Sequence, residues 1–357
     1  MAATGLEEAP YRKLGSLSVS SIGLGCMSMS AYYEPTRDRA TSIESIRGAY
    51  EAGVNFFDTA DSYGEGDNES LIGEALRPEL DAHRDRVVIS TKCGFVGRAE
   101  DGLHLKFSED YIEISCENSL KRFGIEYIDL FYLHRIPSTP EELEKSLEAL
   151  VSLLEKGKIH YVGLSEPTAN AIQQTHDFLT ERGFGDRFSA VQSEYSLVTR
   201  TPERNGVLKK CEELGIGFVP YSPLGRGLLT HKKALSSGWK PGDFRNHFPR
   251  LFGDAFQHNK EMRVLLEEIS KKVPCTLPQL CLAWLLSRGE YIVPIPGSRK
   301  KEHILSNVAG GKVRLSAEIL DEIEKVCESF TVEGSRYPGA LYEPQNIEVS
   351  PPPSPTR

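Results

Sequence analysis

Eight short apolar runs, rich in β-branched and aromatic residues, recur along most of this 357-residue chain. They begin about every 30 to 40 residues until one longer gap, which leaves room for one strand, one helix and two loops per unit. The runs span 21–24, 54–57, 87–90, 128–133, 161–164, 190–193, 217–220 and 291–294. Eight such units predict an α/β fold of the (β/α)8 TIM-barrel type. A doubly wound sheet usually has fewer units and is the second choice.

The segments between the runs carry the signals of helix ends, with a glycine at or near each stop. We predict helices at 42–52, 109–123, 140–156, 202–214 and 277–287. Thr139 is a predicted N-cap, because a proline and two glutamates follow it. These elements predict a single domain over 10–330, with an extra active-site loop at 239–244 and flexible tails at 1–9 and 344–357.

Composition narrows the class of protein. A formal net charge of -9 argues against broad nucleic-acid binding, which needs a basic surface. No apolar stretch reaches the roughly 20 residues that cross a bilayer, and the N-terminus lacks a signal-peptide pattern. The seven cysteines are scattered and form no C-x-x-C pair, which favours free thiols over disulfides or a metal site. We therefore expect a cytoplasmic protein that binds neither nucleic acid nor membrane.

Polar residues follow three consecutive apolar runs. Asp58 comes just after the second run, Lys92 after the third and His134 after the fourth, while Tyr63 lies in the loop that follows Asp58. In a parallel barrel the C-terminal ends of all strands meet on one rim, where barrel enzymes hold their active sites. The sequence therefore predicts that these four side chains converge at one mouth.

This set of side chains suits proton donation to a carbonyl oxygen. A phenol is a weak acid near neutral pH, and a neighbouring ammonium lowers its pKa by favouring the phenolate. We therefore predict Tyr63 as general acid, Lys92 as the group that tunes it, Asp58 as the anchor of Lys92, and His134 as the group that orients the substrate. Taken singly, such residues serve as often as helix caps, ion-pair partners or loop packing. Their joint placement favours catalysis.

The chain resembles the aldo-keto reductase superfamily over nearly all of residues 11–328. The motifs that carry the resemblance are Tyr11-Arg-Lys-Leu-Gly-Ser16, Gly23-Leu-Gly25, Asn55-Phe-Phe-Asp-Thr-Ala-Asp-Ser-Tyr-Gly64, Thr91-Lys-Cys93 and Tyr132-Leu-His134. The resemblance implies an N-terminal hairpin, additional C-terminal loops and helices, and a catalytic tetrad made of Asp58, Tyr63, Lys92 and His134. It also implies NADPH-dependent reduction of an aldehyde or ketone.

The resemblance further implies which residues hold NADPH or NADP+. These are Ser165, Gln192, Tyr221, Ser222, Leu224, Gly225, Gly297, Ser298, Arg299, Lys300 and Asn307. Ser165 and Gln192 match the residues that hydrogen-bond the nicotinamide carboxamide, and Tyr221 matches the aromatic that stacks on the ring. Arg299 and Lys300 match the segment that binds the adenosine 2′-phosphate.

Two positions depart from the family pattern. Glu166 stands where many members have asparagine, which leaves the carboxamide contact to Ser165 and Gln192. His303 stands where some branches have an arginine, which shifts the phosphate-binding role to Arg299.

The substrate pocket is predicted from loops on the same rim. Its candidate residues are Met27, Tyr32, Tyr33 and Phe95, with the loop at 239–244. Aromatic walls suit a planar or apolar small-molecule carbonyl compound. The resemblance implies a monomer or weak homo-oligomer.

Two other functions stay open at this point. One is a cofactor-binding regulatory subunit with weak reductase activity, as some relatives in the superfamily imply. The other is a barrel hydrolase that pairs Asp58 with a second rim carboxylate, Glu166 or Glu194. The hydrolase leaves the Arg299 segment without a purpose.

Overall fold

A computed structural model of the chain describes residues 10–31, 38–99, 102–230, 239 and 242–337. The tails predicted at 1–9 and 344–357 lie outside these ranges, as do two residues of the loop predicted at 239–244. Within the described ranges, no helix combines the length and apolar character that crossing a membrane requires.

An antiparallel hairpin of β1 (Tyr11–Leu14) and β2 (Leu17–Ser20) precedes the barrel. Leu14 is fully buried in the same cluster as Phe56 and Val219, which belong to the barrel interior. A side chain at Gly217 would collide with Leu14, so the hairpin packs directly on the sheet. The hairpin therefore fills one end of the barrel and leaves the opposite rim for the site.

Seven parallel strands form most of the barrel wall. The strands after the hairpin are β3 (Leu24–Gly25), β4 (Phe56–Asp58), β5 (Val88–Cys93), β6 (Phe95–Ala99), β7 (Gly102–Leu105), β8 (Ile128–Leu133), β9 (Ile159–Ser165), β10 (Phe188–Glu194) and β11 (Gly217–Tyr221). β6 and β7 form a separate antiparallel hairpin, and the other seven pair in the order β3-β4-β5-β8-β9-β10-β11. Consecutive barrel strands are thus neighbours throughout.

Segment 291–296 closes the ring between β11 and β3. The Phe218 N–H donates to the Tyr291 carbonyl at 2.7 Å, and the Val293 N–H donates back to Phe218 at 2.9 Å. On the other side, the Gly23 N–H donates to the Pro294 carbonyl at 3.0 Å. The two prolines in this segment lack an N–H, so it pairs less regularly than the other strands. The prediction of a closed (β/α)8 barrel is confirmed.

Helices alternate with the barrel strands and cover the outside of the sheet. They are α1 (Arg39–Glu51), α2 (Asp67–Ala75), α3 (Arg77–Ala82), α4 (Glu109–Phe123), α5 (Pro140–Glu155), α6 (Ala169–Glu181), α7 (Thr201–Arg204), α8 (Val207–Leu214), α9 (Gly253–Ser270), α10 (Leu277–Ser287), α11 (Lys301–Gly310) and α12 (Ala317–Ser329). α4 and α10 have the predicted bounds, and the Thr139 side chain caps α5 by accepting the Glu142 N–H. The single helix predicted at 202–214 is wrong. Gly206 adopts φ 80°, in the left-handed region, and divides it into α7 and α8.

Candidate active site

The carboxyl ends of three neighbouring strands bring the predicted tetrad to one rim. Asp58 is the last residue of β4, Lys92 is next to last in β5, and His134 directly follows β8. The prediction that Asp58 and Lys92 follow their strands is therefore off by one or two residues, because the parallel pairing continues through them. Tyr63 lies in the turn before α2 and is 8% exposed.

Lys92 and Asp58 form a buried ion pair. The Lys92 Nζ lies 2.6 Å from Asp58 Oδ1 and donates a second hydrogen bond to the Thr59 carbonyl at 2.6 Å. The other carboxylate oxygen of Asp58 accepts from Ser90 at 2.8 Å and from Gln192 at 2.9 Å. Burial lowers the pKa of Lys92, and the charge of Asp58 opposes that shift. The hydrogen bonds to each partner hold the ammonium in a fixed place.

Three rings in successive contact begin beside this pair. The Lys92 Nζ lies 5.3 Å from the centre of the Tyr63 ring, within cation–π range. The rings of Tyr63 and His134 meet edge to face with centroids 5.7 Å apart, and Phe95 lies 5.8 Å from His134. A phenol, an imidazole and an ammonium thus lie together at one corner of the cavity, an arrangement that can donate a proton to a carbonyl oxygen.

One long cavity of about 1220 Å³ runs from this corner to the start of α11. It exceeds the roughly 300 to 1,000 Å³ of usual small-molecule pockets, so it can admit a dinucleotide as well as a substrate. The predicted residues that line it are Met27, Asp58, Tyr63, Phe95, His134, Ser165, Gln192, Tyr221, Ser222, Leu224, Gly297, Ser298, Arg299, Lys300 and Asn307. Lys92 lies behind its wall, and Trp239 and Phe244 of the predicted loop also line it. Tyr32 and Tyr33 lie outside the described residues.

Gly225 does not line this cavity, unlike the other residues predicted for the cofactor. A side chain added to Gly225 would meet Val198 at 2.7 Å, so the residue packs against the core instead. Its neighbours Ser222 and Leu224 face the cavity.

The far half of the cavity has the donor set that a phosphorylated nucleotide needs. A Cβ on Gly25 would meet the Ile295 carbonyl oxygen at 2.7 Å, and a Cβ on Gly297 would meet the Gly25 carbonyl oxygen at 2.7 Å. This leaves a smooth backbone wall where the chain turns into α11. Arg299 and Lys300 stand just before that helix, whose N-terminal N–H groups favour an anion. The residues of this half therefore fit a dinucleotide with a phosphate at its end.

Sequence reasoning missed several cavity residues. Arg135, Arg226, Phe248 and Tyr337 all line it. The Tyr337 hydroxyl lies 2.9 Å from that of Tyr221. The only signal available for Arg135 was its position after His134, and no local signal existed for Tyr337, which is 116 residues from Tyr221 in the chain.

The two other rim carboxylates are held by arginines. Glu166 accepts hydrogen bonds from Arg336 at 2.8 and 3.3 Å, and Glu194 lies 2.8 Å from Arg226. Burial raises the pKa of each carboxyl, but these guanidinium groups outweigh it and hold both pKa values below the usual range. Both groups are therefore carboxylates at neutral pH, and neither can act as a general acid there.

Comparison with known proteins places this geometry in a family. The model of the aldo/keto reductase family matches residues 21–328. A probable aldo-keto reductase 1 of Glycine max is 37% identical over 331 residues, covering 92% of each chain. An aldo-keto reductase of Schizosaccharomyces pombe, yakc, named with NADP(+), is 39% identical over 332 residues, covering 92% of this chain and 94% of its own.

Two solved structures have the same architecture. An aldo-keto reductase from Klebsiella pneumoniae in complex with NADPH superposes with a TM-score of 0.68 at 25% identity, covering 93% of this chain and 99% of its own. The holo form of aldo-keto reductase AKR11C1 from Bacillus halodurans gives a TM-score of 0.69 at 24% identity over the same shares, a likeness of fold alone. This chain therefore belongs to the aldo/keto reductase family.

Proposed function

We propose that the protein reduces an aldehyde or ketone to the alcohol with NADPH, and that Tyr63 supplies the proton. One observation carries the proposal most directly. The buried Lys92–Asp58 pair lies beside the Tyr63 ring, at one end of the cavity whose other end carries Arg299 and Lys300. The proposed proton donor and the proposed phosphate-binding segment therefore line one cavity.

The residues of the cavity fit NADPH, which supplies a hydride when it is bound. The names of the relatives from Schizosaccharomyces pombe and Klebsiella pneumoniae support this cofactor. Ser165 and Gln192 would hold the carboxamide, Tyr221 the nicotinamide ring and Arg299 the 2′-phosphate. Gln192 also donates to Asp58, so the side chain that would contact the nicotinamide carboxamide also contacts the ion pair.

The chain's own residues account for the proton. A substrate carbonyl in the corner between Tyr63 and His134 can accept hydrogen bonds from the phenol and the imidazole. The Lys92 ammonium favours the phenolate that remains after Tyr63 gives its proton. Asp58, which also lines the cavity, keeps Lys92 in place through their ion pair.

A hydrolase is disfavoured by the state of the rim carboxylates. That mechanism needs one carboxyl that stays protonated near neutral pH. Glu166 and Glu194 are both held ionised by arginines. The regulatory-subunit alternative is distinguished by turnover, since a subunit without physiological activity would bind NADPH and reduce aldehydes only very slowly.

A titration with NADPH and NADH, followed by turnover with an aromatic aldehyde, tests the proposal. Trp239 lines the cavity, so bound dinucleotide is expected to quench its fluorescence. We expect tight binding of NADPH, weaker binding of NADH, and reduction of the aldehyde. Binding of neither dinucleotide would contradict the cofactor assignment, and binding without turnover would favour the regulatory role.

A further inference from the structure

Arg135 brings a guanidinium group to the cavity wall, one residue after His134. Its Nη1 donates to the backbone carbonyl of His134 at 2.7 Å, whereas its Nε is buried and lacks a hydrogen-bond partner among the described residues. In the part of the chain that the structure describes, no carboxylate oxygen lies within 4.0 Å of this guanidinium. Arg135 therefore presents a partly buried guanidinium with no direct carboxylate partner among the described residues, and such a group is a candidate to bind an anionic ligand.

The neighbouring arginines of the rim are satisfied by carboxylates. Arg226 pairs with Glu194 at 2.8 Å, and Arg336 pairs with Glu166 at 2.8 Å. Glu194 and Glu166 therefore form ion pairs with arginines other than Arg135. Burial lowers the pKa of Arg135, but the charges of Tyr337, Tyr221 and Glu166 outweigh burial and raise that pKa, so the guanidinium stays charged in the cavity wall without a direct ion pair among the described residues.

Two neighbours of Arg135 respond to this positive charge. The pKa of Lys92 is lowered by burial first, and the charge of Arg135 lowers it further, which locates Arg135 close to the tetrad. Burial alone would raise the pKa of Tyr337, but Arg226, Arg336 and Arg135 together hold it below its usual value. The electrostatic field of the mouth therefore favours an anion.

The other wall of the corner is apolar. Met27 packs against Tyr63, and Phe95 lies beside His134. A substrate that fits both walls has an apolar or aromatic body, a carbonyl group at Tyr63, and an anionic group on the side of Arg135. A guanidinium presents paired N–H donors in a plane that matches a carboxylate.

On the basis of the proposed function, we infer that the substrate is an aldehyde or ketone that carries a carboxylate, and that Arg135 binds this carboxylate. Arg135 is then the residue that decides between acidic and neutral carbonyl compounds.

The kinetic test compares 4-carboxybenzaldehyde with its neutral counterpart, methyl 4-formylbenzoate, as substrates with NADPH. In the wild type, we expect kcat/KM for the acid to exceed that for the ester by about ten- to a hundredfold, the worth of one hydrogen-bonded charge pair. Arg135→Gln is expected to bring this ratio close to one, and Arg135→Lys, which keeps the charge, to preserve part of it. The matched control is Arg187→Gln, because Arg187 precedes β10 at the opposite end of the barrel.

A binding measurement separates this inference from the proposed reaction. Calorimetry would follow 4-methylbenzoate and its methyl ester, neither of which can be reduced, with the free protein and with the protein saturated with NADP+. We expect the carboxylate to bind the wild type more tightly than the ester, and Arg135→Gln to remove that difference without changing the midpoint of thermal unfolding by more than a few degrees.

Several results would overturn the inference. One is equal kcat/KM for acid and ester in the wild type, and another is an equal loss of both in Arg135→Gln, which would mean that Arg135 only supports His134. A third is weaker binding of NADPH rather than of 4-methylbenzoate in that variant. If neither aldehyde is reduced but 4-methylbenzoate binds through Arg135, the carboxylate site stands and the reductase proposal fails.

Discussion

The ammonium nitrogen of Lys92 lies 2.6 Å from a carboxylate oxygen of Asp58, with side chains only 1% and 4% exposed. Two opposite charges this deeply buried depend on each other, because either one alone would be left without water or a counter-ion. The ion pair also holds positive charge 5.3 Å from the centre of the Tyr63 ring. The same contact therefore bears on the stability of the fold and on the acidity of the proposed proton donor.

Replacing one partner of this pair tests its place in the fold. Lys92→Met leaves the Asp58 carboxylate buried and uncompensated, and we expect the free energy of unfolding to fall by about 3 to 5 kcal/mol. The double variant Lys92→Met/Asp58→Asn removes both charges and should recover part of that loss. Urea unfolding of the three proteins measures this. A double variant no more stable than Lys92→Met would contradict the mutual dependence of the two buried charges.

The assignment of the phosphate end rests on Arg299. Because the 2′-phosphate is absent from NADH, Arg299→Gln should lower the affinity for NADPH by about ten- to a hundredfold and leave the affinity for NADH nearly unchanged. Fluorescence titration of both dinucleotides gives the two dissociation constants. Lys325→Gln, an exposed change on α12 that alters the net charge equally, serves as the control. Equal weakening of both dinucleotides would assign Arg299 a general rather than a phosphate-specific role.

The titration of Asp61 is expected to make the free energy of unfolding depend on pH. Burial, aided by the charge of Glu69, raises the pKa of Asp61 to about 7, and its Oδ1 lacks a hydrogen-bond partner among the described residues. The unfolded chain ionises this group near pH 4, whereas the folded protein resists ionisation up to about pH 7. This group therefore removes stability as the pH rises through that interval.

Asp61→Asn should abolish that contribution. We expect the stability of the variant relative to the wild type to increase by about 3 kcal/mol between pH 4.5 and pH 8, since the amide does not ionise. Urea unfolding at both pH values measures the difference, and the exposed Asp321→Asn on α12 is the control. A difference between wild type and Asp61→Asn that does not change with pH would contradict the raised pKa.

Glycine at position 163 is required by packing. A side chain there would collide with the ring of Tyr132 on the neighbouring strand β8. Gly163→Ala should therefore lower the free energy of unfolding by about 1 to 3 kcal/mol, the usual cost of overpacking a core. Gly97→Ala, where an added Cβ meets nothing within 4 Å, is the control in the same unfolding experiment. Equal stability of the two variants would mean that β8 and β9 separate easily.

The barrel and the rim could be predicted because both follow from local patterns. Apolar runs at a regular spacing mark the strands, and the end of each parallel strand places Asp58, Lys92 and His134 on one side. The predicted strand ends were less accurate, because pairing with neighbouring strands extends β4 through Asp58 and β5 through Lys92. A glycine inside an otherwise helical pattern divided α7 from α8 at Gly206.

The rest of the site depends on contacts between distant parts of the chain. The Arg336–Glu166 pair joins residues 170 apart, and Tyr337 reaches Tyr221 across 116 residues. Neither contact has a periodicity or a spacing that the sequence alone displays. That Arg135 lacks a direct carboxylate partner likewise emerges only after the partners of the other described arginines are known.

Tyr63→Phe provides the most direct test of the central claim, because it removes one hydroxyl group and keeps the ring. The measurement is the single-turnover rate of aldehyde reduction, with NADPH affinity determined on the same preparation. We predict a rate lower by about a hundred- to ten-thousandfold, the usual contribution of a general acid, with NADPH affinity unchanged. Reduction within a few-fold of the wild-type rate, with NADPH bound equally well, would contradict the assignment of Tyr63 as the proton donor.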